Sequence, residues 1–68
     1  MNLQVNGEPM TMEEGTTVKR LLESLKLTPE LVVVELNLTI LKREELVKTV
    51  LKENDQVEVV HFVGGGAQ

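Results

Sequence analysis

Towards its carboxyl end the chain reads Phe62-Val63-Gly64-Gly65-Gly66-Ala67-Gln68, with three glycines directly after an apolar run from Val57 to Val63. Glycine carries the largest entropic cost of ordering and has no side chain to bury, so such a run beside a strand needs a reason. One reading is a disordered scar. The other is that the tail is itself a substrate. A flexible peptide without Cβ atoms can thread a narrow channel and present a carboxylate to another protein's active site. Other groups offer little for chemistry in place. His61, the sole histidine, is by type a possible base or metal ligand. With no partner motif around it, it reads as a structural or interface residue. Glu13-Glu14 and Glu44-Glu45 are neighbours in sequence, so the side chains of each pair diverge and form solvated surface. The absence of cysteine removes a thiol nucleophile, a disulfide framework and a Cys-based metal site. These groups speak against an enzyme.

Composition narrows the partners. With 68 residues there is room for one domain, burying roughly 60% of its unfolded surface. A content of 41% hydrophobic and 26% charged residues places it among folded proteins rather than disordered ones. The formal net charge of -4 argues against nucleic acid, which favours clustered Lys and Arg. Lys19-Arg20 and Lys42-Arg43 each lie close to glutamates and read as solvated faces. No apolar stretch approaches the ~20 residues of a membrane span, and no signal-peptide pattern opens the chain, so a cytoplasmic setting is expected.

The elements that must position the tail follow from periodicity. Asn2 to Val5 alternates polar and apolar, and Asn6-Gly7 tolerates the positive φ of a tight hairpin. The return strand runs from Glu8 to Met12, with Met10 and Met12 on one face and Pro9 placing it at a sheet edge. Thr16 or Thr17 can cap a helix whose Val18, Leu21, Leu22 and Leu25 form one apolar stripe, ended by Thr28-Pro29. Leu31 to Asn37 is rich in β-branched residues and reads as a largely buried strand. Lys42 to Lys48 suits one or two helical turns with Leu46 and Val47 inward, Glu53 to Asp55 a turn, and Gln56 to Val63 the last strand. A helix with one stripe covered by one face of a mixed sheet makes two layers. The helix stripe is expected to pack on Leu3, Val5, Val34, Val57 and Val59. The domain then spans residues 1–63, with 64–68 a flexible glycine-rich tail.

Alternation along the last strand carries a second signal. Val57 and Val59 share the core face, His61 follows them, and Val60 and Phe62 fall opposite unless a bulge shifts the register. Phe62 is the only aromatic residue. Two apolar side chains facing away from the helix, just before the tail, suit a docking patch. The alternative is that Val60 and Phe62 cap the core beside Met10 or Leu3.

Taken in order, Val5-Asn6-Gly7-Glu8-Pro9, Glu14-Gly15-Thr16-Thr17-Val18 with Leu21-Leu22, Val34-Glu35-Leu36-Asn37, Lys42-Arg43-Glu44-Glu45 and Asn54 through Gly66 resemble the ThiS family. These are ubiquitin-like sulfur carriers of thiamin biosynthesis, and the resemblance covers essentially the whole chain. It implies an α+β fold of the β-grasp type, with four to five strands in a mixed sheet on one helix. It also implies that a ThiF-like adenylating enzyme uses MgATP to activate the carboxylate of Gly66, with Gly65 the flexible residue before it. A sulfur donor then makes a thiocarboxylate, and thiazole synthase or another acceptor enzyme receives the sulfur. Val60, Phe62, Val63 and Gly64 become the expected partner-binding residues, with no cofactor or metal held by the chain itself. Ala67 and Gln68 depart from the family's glycine ending and would block Gly66. Some carriers of this superfamily carry such residues until a metalloprotease removes them, and these tend to resemble carriers feeding cysteine or homocysteine synthesis. A ubiquitin-like protein modifier is a further alternative. MoaD-like carriers share the fold and tail, but the Asn6-Gly7 hairpin and the Val60-to-Gly64 ending look more like ThiS.

Overall fold

The computed structural model describes residues 1–61, so Phe62 and all that follows lie outside the described residues. Five strands, β1 (Asn2–Val5), β2 (Glu8–Thr11), β3 (Val32–Leu36), β4 (Thr39–Leu41) and β5 (Gln56–His61), form one sheet. Their order is β2-β1-β5-β3-β4, and among the described residues a single α-helix, α1 (Val18–Ser24), covers one face. β5 runs parallel to β1 and antiparallel to β3. This is the ubiquitin-like β-grasp arrangement.

The first hairpin follows its residues. Asn6 at φ 51 and Gly7 at φ 83 supply the paired left-handed conformations that match the twist of the flanking strands. Pro9 sits opposite Gln4 on the edge strand β2, where its missing N–H costs no ladder bond on the open side. Met10 and Met12 both pack against the core from this edge.

Thr17 is the helix cap: its Oγ1 accepts from the Arg20 N–H at 3.1 Å. Thr16 instead donates its hydroxyl to the Glu13 carbonyl at 2.7 Å. The next helical donors are taken up by a distant loop, Val18 N–H by the Thr49 carbonyl and Lys19 N–H by the Leu46 carbonyl, each at 3.0 Å. The helix stops before the expected Thr28-Pro29. Lys26 adopts φ 61, and its N–H reaches the Glu23 carbonyl while Leu27 N–H reaches that of Leu22, both at 2.9 Å. That is the hydrogen-bond pattern of a left-handed helix cap made without glycine. Pro29 then opens a short 3-10 turn, Pro29–Leu31, which takes Leu31 out of the strand and leaves it exposed.

The core is Leu3, Val5, Val18, Leu21, Leu22, Val32, Val34, Leu46, Leu51 and Val57, with Leu25 and Val59 packed against it. The helix stripe and the five expected sheet positions therefore meet as alternation and 3.6-residue periodicity require. Leu51 and Val32 are further members. Leu46 is buried, but Val47, expected inward, is 53% exposed. The reason is the short span of this segment. Only Arg43–Glu45 form a 3-10 turn, too brief for a two-residue inward stripe. The strand β4 was not assigned from the sequence. Its three residues are joined to β3 by Asn37 (φ 51) and Leu38 (φ 73), a second tight turn lacking the usual glycine.

Long-range ties join the start of β1 to the turn that precedes β5. Both Glu53 carboxylate oxygens accept from Asn2, one from its backbone N–H and one from its side-chain amide, each at 2.9 Å. These bonds stabilise the charged form and hold the Glu53 carboxyl below its ordinary value, with a smaller contribution from the terminal ammonium. The stabilisation is present above the unfolded-state glutamate pKa and is lost as pH falls through the lower folded value. Glu53→Gln should therefore flatten the acid limb of a pH–stability profile by lowering stability near neutrality, with the two proteins converging at acid pH. Leu22, with no exposed surface, sits at the centre of the core. Leu22→Ala should cost about 2–5 kcal/mol, read as a fall in urea midpoint; a loss below about 1 kcal/mol would mean the site collapses around the gap.

Candidate functional site

β5 is the element that carries the chain toward its glycines, and its outward face can be built residue by residue. Glu58 and Val60 point away from the helix, as do Val33 and Glu35 on β3 and Ile40 on β4. Val60 lies opposite Val33, Glu58 opposite Glu35, and Glu35 opposite Ile40. Val60 is 60% exposed and Ile40 63% exposed, whereas Val33 is half-buried between its neighbours. The alternative in which Val60 caps the core is thereby excluded for that residue. The expected partner Phe62 and the residues Val63, Gly64, Gly65 and Gly66 lie outside the described residues.

The chemistry of this face is simple. An apolar pair, Val33 and Val60, adjoins a row in which two glutamates stand directly across from one another. Like charges so placed repel modestly when free and favour a counter-charged neighbour. A complementary surface would offer apolar contact beside basic groups. His61, expected on the core side by alternation, is exposed. It is paired with Val32 on β3, but β1 has already ended at Val5, so among the described residues no strand lies along its other flank. The adjacent glutamates do not form acid pairs. Glu45 Oε1 accepts from the Lys42 N–H at 2.6 Å and so closes its own turn, while Glu44 is exposed. Glu14 lies 3.9 Å from the terminal ammonium. Among the described residues, no group of three His, Cys, Asp or Glu is placed to hold a metal ion, and no helix is long and apolar enough to cross a membrane.

Ile40 was missed from the sequence because β4 was not assigned. The available signal was Asn37, a residue tolerant of positive φ, between Val32–Leu36 and the short apolar run Thr39-Ile40-Leu41.

The ThiS family model matches residues 3–66. The chain belongs to the ThiS family. The sulfur carrier protein ThiS of Bacillus subtilis is 40% identical over 65 residues, covering 94% of this chain and 98% of that protein. A crystal structure of the thiamine biosynthesis protein ThiS from Geobacter metallireducens superposes with a TM-score of 0.83 at 46% identity, covering 97% of this chain and all of that one. A thiazole synthase of Magnetococcus marinus is 48% identical over 66 residues. This chain spans 97% of its own length in that match but only 20% of the synthase. The chain is thus a ThiS-type carrier of the ubiquitin-like fold and not itself an enzyme. In this ThiS-family chain, Val60 is surface and not core, so Val60→Ser should change folding stability by no more than about 0.5 kcal/mol in denaturant melts. A loss like that expected for Leu22→Ala would return Val60 to the core.

Proposed function

We propose that this chain carries sulfur on the carboxylate of Gly66 for synthesis of the thiazole of thiamin. The observation that carries the proposal is where the family match ends: it runs to Gly66 and leaves Ala67 and Gln68 beyond it. Support for the destination comes from a relative named thiazole synthase, one fifth of which is matched by this chain. A carboxylate is a poor electrophile until one oxygen becomes part of a good leaving group. A ThiF-like enzyme supplies that change by joining the carboxylate to the AMP portion of MgATP with release of pyrophosphate. Hydrosulfide attacking the carbonyl carbon expels AMP with the bonding electron pair and leaves a thiocarboxylate; a persulfide donor gives an acyl disulfide, which a second thiol must then cleave to leave the same thiocarboxylate. The carrier contributes reach and steric access through Gly65 and Gly66; the catalytic groups belong to its partners. The Val33–Val60 pair with the Glu35–Glu58 row is the described part of its docking face, and Phe62, Val63 and Gly64, next in sequence, are the other residues assigned to partner binding.

Ala67 and Gln68 favour one refinement. With them attached, the Gly66 carbonyl is an amide and has no carboxylate to activate, so a protease, a metalloprotease by the superfamily's pattern, must act first. The test is ATP–pyrophosphate exchange catalysed by the adenylating enzyme of the same organism. The chain ending at Gln68 should give background exchange, the chain ending at Gly66 full exchange, and Gly66→Ala in the shorter chain should lose most of it. Equal exchange by both lengths would sink the trimming step. Exchange by neither would sink the carrier chemistry.

A further inference from the structure

Two asparagines grip β5 from its two edges, and their difference in position carries a functional consequence. Near the start of the strand, Asn37 N–H donates to the Gln56 carbonyl at 2.8 Å, and Asn37 Oδ1 accepts from the Gln56 N–H at 2.9 Å. Its amide also donates to Asp55 Oδ1 at 2.9 Å. Further along, Asn6 N–H donates to the Val57 carbonyl at 2.8 Å, and Asn6 Oδ1 accepts from the Val59 N–H at 2.7 Å. Both asparagines are left-handed, at φ 51. In each case the side-chain oxygen occupies the place of a strand carbonyl that the turn has carried away.

Backbone groups alternate along a strand, so Asp55, Val57 and Val59 all face the β1 side of β5. Gln4 N–H takes the Asp55 carbonyl and Asn6 N–H that of Val57. The β1–β5 pairing itself ends at Val5 opposite Val57. Beyond that point the β3 side of β5 stays paired to His61, whereas the β1 side is held by the Asn6 side chain at Val59. A strand held along one edge can swing about that edge; a bond on the other edge removes the freedom.

We infer that Asn6 is a positioning residue for the carrier's exit strand: its Oδ1–Val59 bond sets the direction in which β5 leaves the sheet, and so how the following residues meet an activating enzyme. The inference rests on the proposed carrier function for its consequence, but its geometry is independent of it. Asn37 provides the control. It makes the same kind of bonds about 10 Å earlier on the same strand, at the end away from the exit. A purely structural role would make the two residues equivalent.

The test uses three variants of the chain ending at Gly66. Asn6→Gly keeps the left-handed backbone and deletes the acceptor, Asn6→Asp keeps the acceptor, and Asn37→Gly deletes the bonds at the far end. In pyrophosphate exchange, Asn6→Gly should raise the KM for carrier about fivefold, the size of one hydrogen bond, with kcat unchanged. Asn6→Asp should restore most of the KM, and Asn37→Gly should leave it at the parental value even where it lowers the melting temperature as much. An unchanged KM in Asn6→Gly overturns the inference, as does an equal rise in Asn37→Gly or global unfolding of Asn6→Gly. Where the parental chain itself is not activated, the carrier reading fails and the positioning claim is judged by NMR. Asn6→Gly should then speed amide exchange at Val59 and reorient the Val60 and His61 N–H vectors in residual dipolar couplings. Unaltered exchange and couplings overturn it.

Discussion

Everything in this domain depends on β5 being held between β1 and β3. Among the described residues it is the last strand in sequence, yet it occupies the middle of the sheet, and its Val57 is among the most deeply buried residues. Its pairing with β1 joins residues more than fifty positions apart. Such a contact carries a large closure cost that only burial of the helix stripe against Leu3, Val5, Val34 and Val57 can offset. The Glu53–Asn2 bonds and the two asparagine grips are the polar part of the same closure. They act where the ladder is interrupted by turns.

This placement has a functional corollary. The proposed function asks the residues after β5 to be offered to a partner while the strand that leads to them remains anchored. Anchoring an exit strand in the centre of the sheet, rather than at an edge, means that a pull on the tail is resisted by ladders on both sides. The edges are then free to differ. β2 is blunted by Pro9 and Glu8, whereas β4 is three residues long and presents Ile40 beside Leu38, which is 88% exposed. Short strands and prolines both discourage unwanted strand pairing.

The outward face combines modest apolar area with acidic residues, in keeping with an acidic chain of net charge -4. Val60 contributes nothing to the core and Glu35 faces Glu58 without a basic residue between them. Neither feature helps the isolated domain fold. Both fit the proposed docking face, to which β5 contributes Val60 and Glu58 and β3 contributes Glu35. The helix N-terminus, by contrast, is closed by Thr17 and by carbonyls of the 46–51 segment, so its donors are spent on the fold.

The amino-acid sequence by itself determined the helix stripe, the Asn6-Gly7 hairpin, the edge position of β2 and the core face of β5. Each rests on a period or on one residue's backbone preference, which act locally whatever the surroundings. The order and spacing of those pieces, with the glycine run, were enough to indicate the family. Tertiary structure alone decided the rest. The helix end moved because Lys26 accepts a left-handed φ that its type does not favour, in exchange for two capping bonds and a seated Leu27. β4 exists because β3 offers it a free ladder, and Thr39–Leu41 is too short to announce itself by alternation. Val47 turned outward because a brief 3-10 turn has no room for two inward neighbours. His61 is exposed because β1 stops before reaching it. The role of Asn6 beyond its turn was likewise invisible in the sequence, since its acceptor meets a donor fifty-three residues away that only the folded sheet brings within reach.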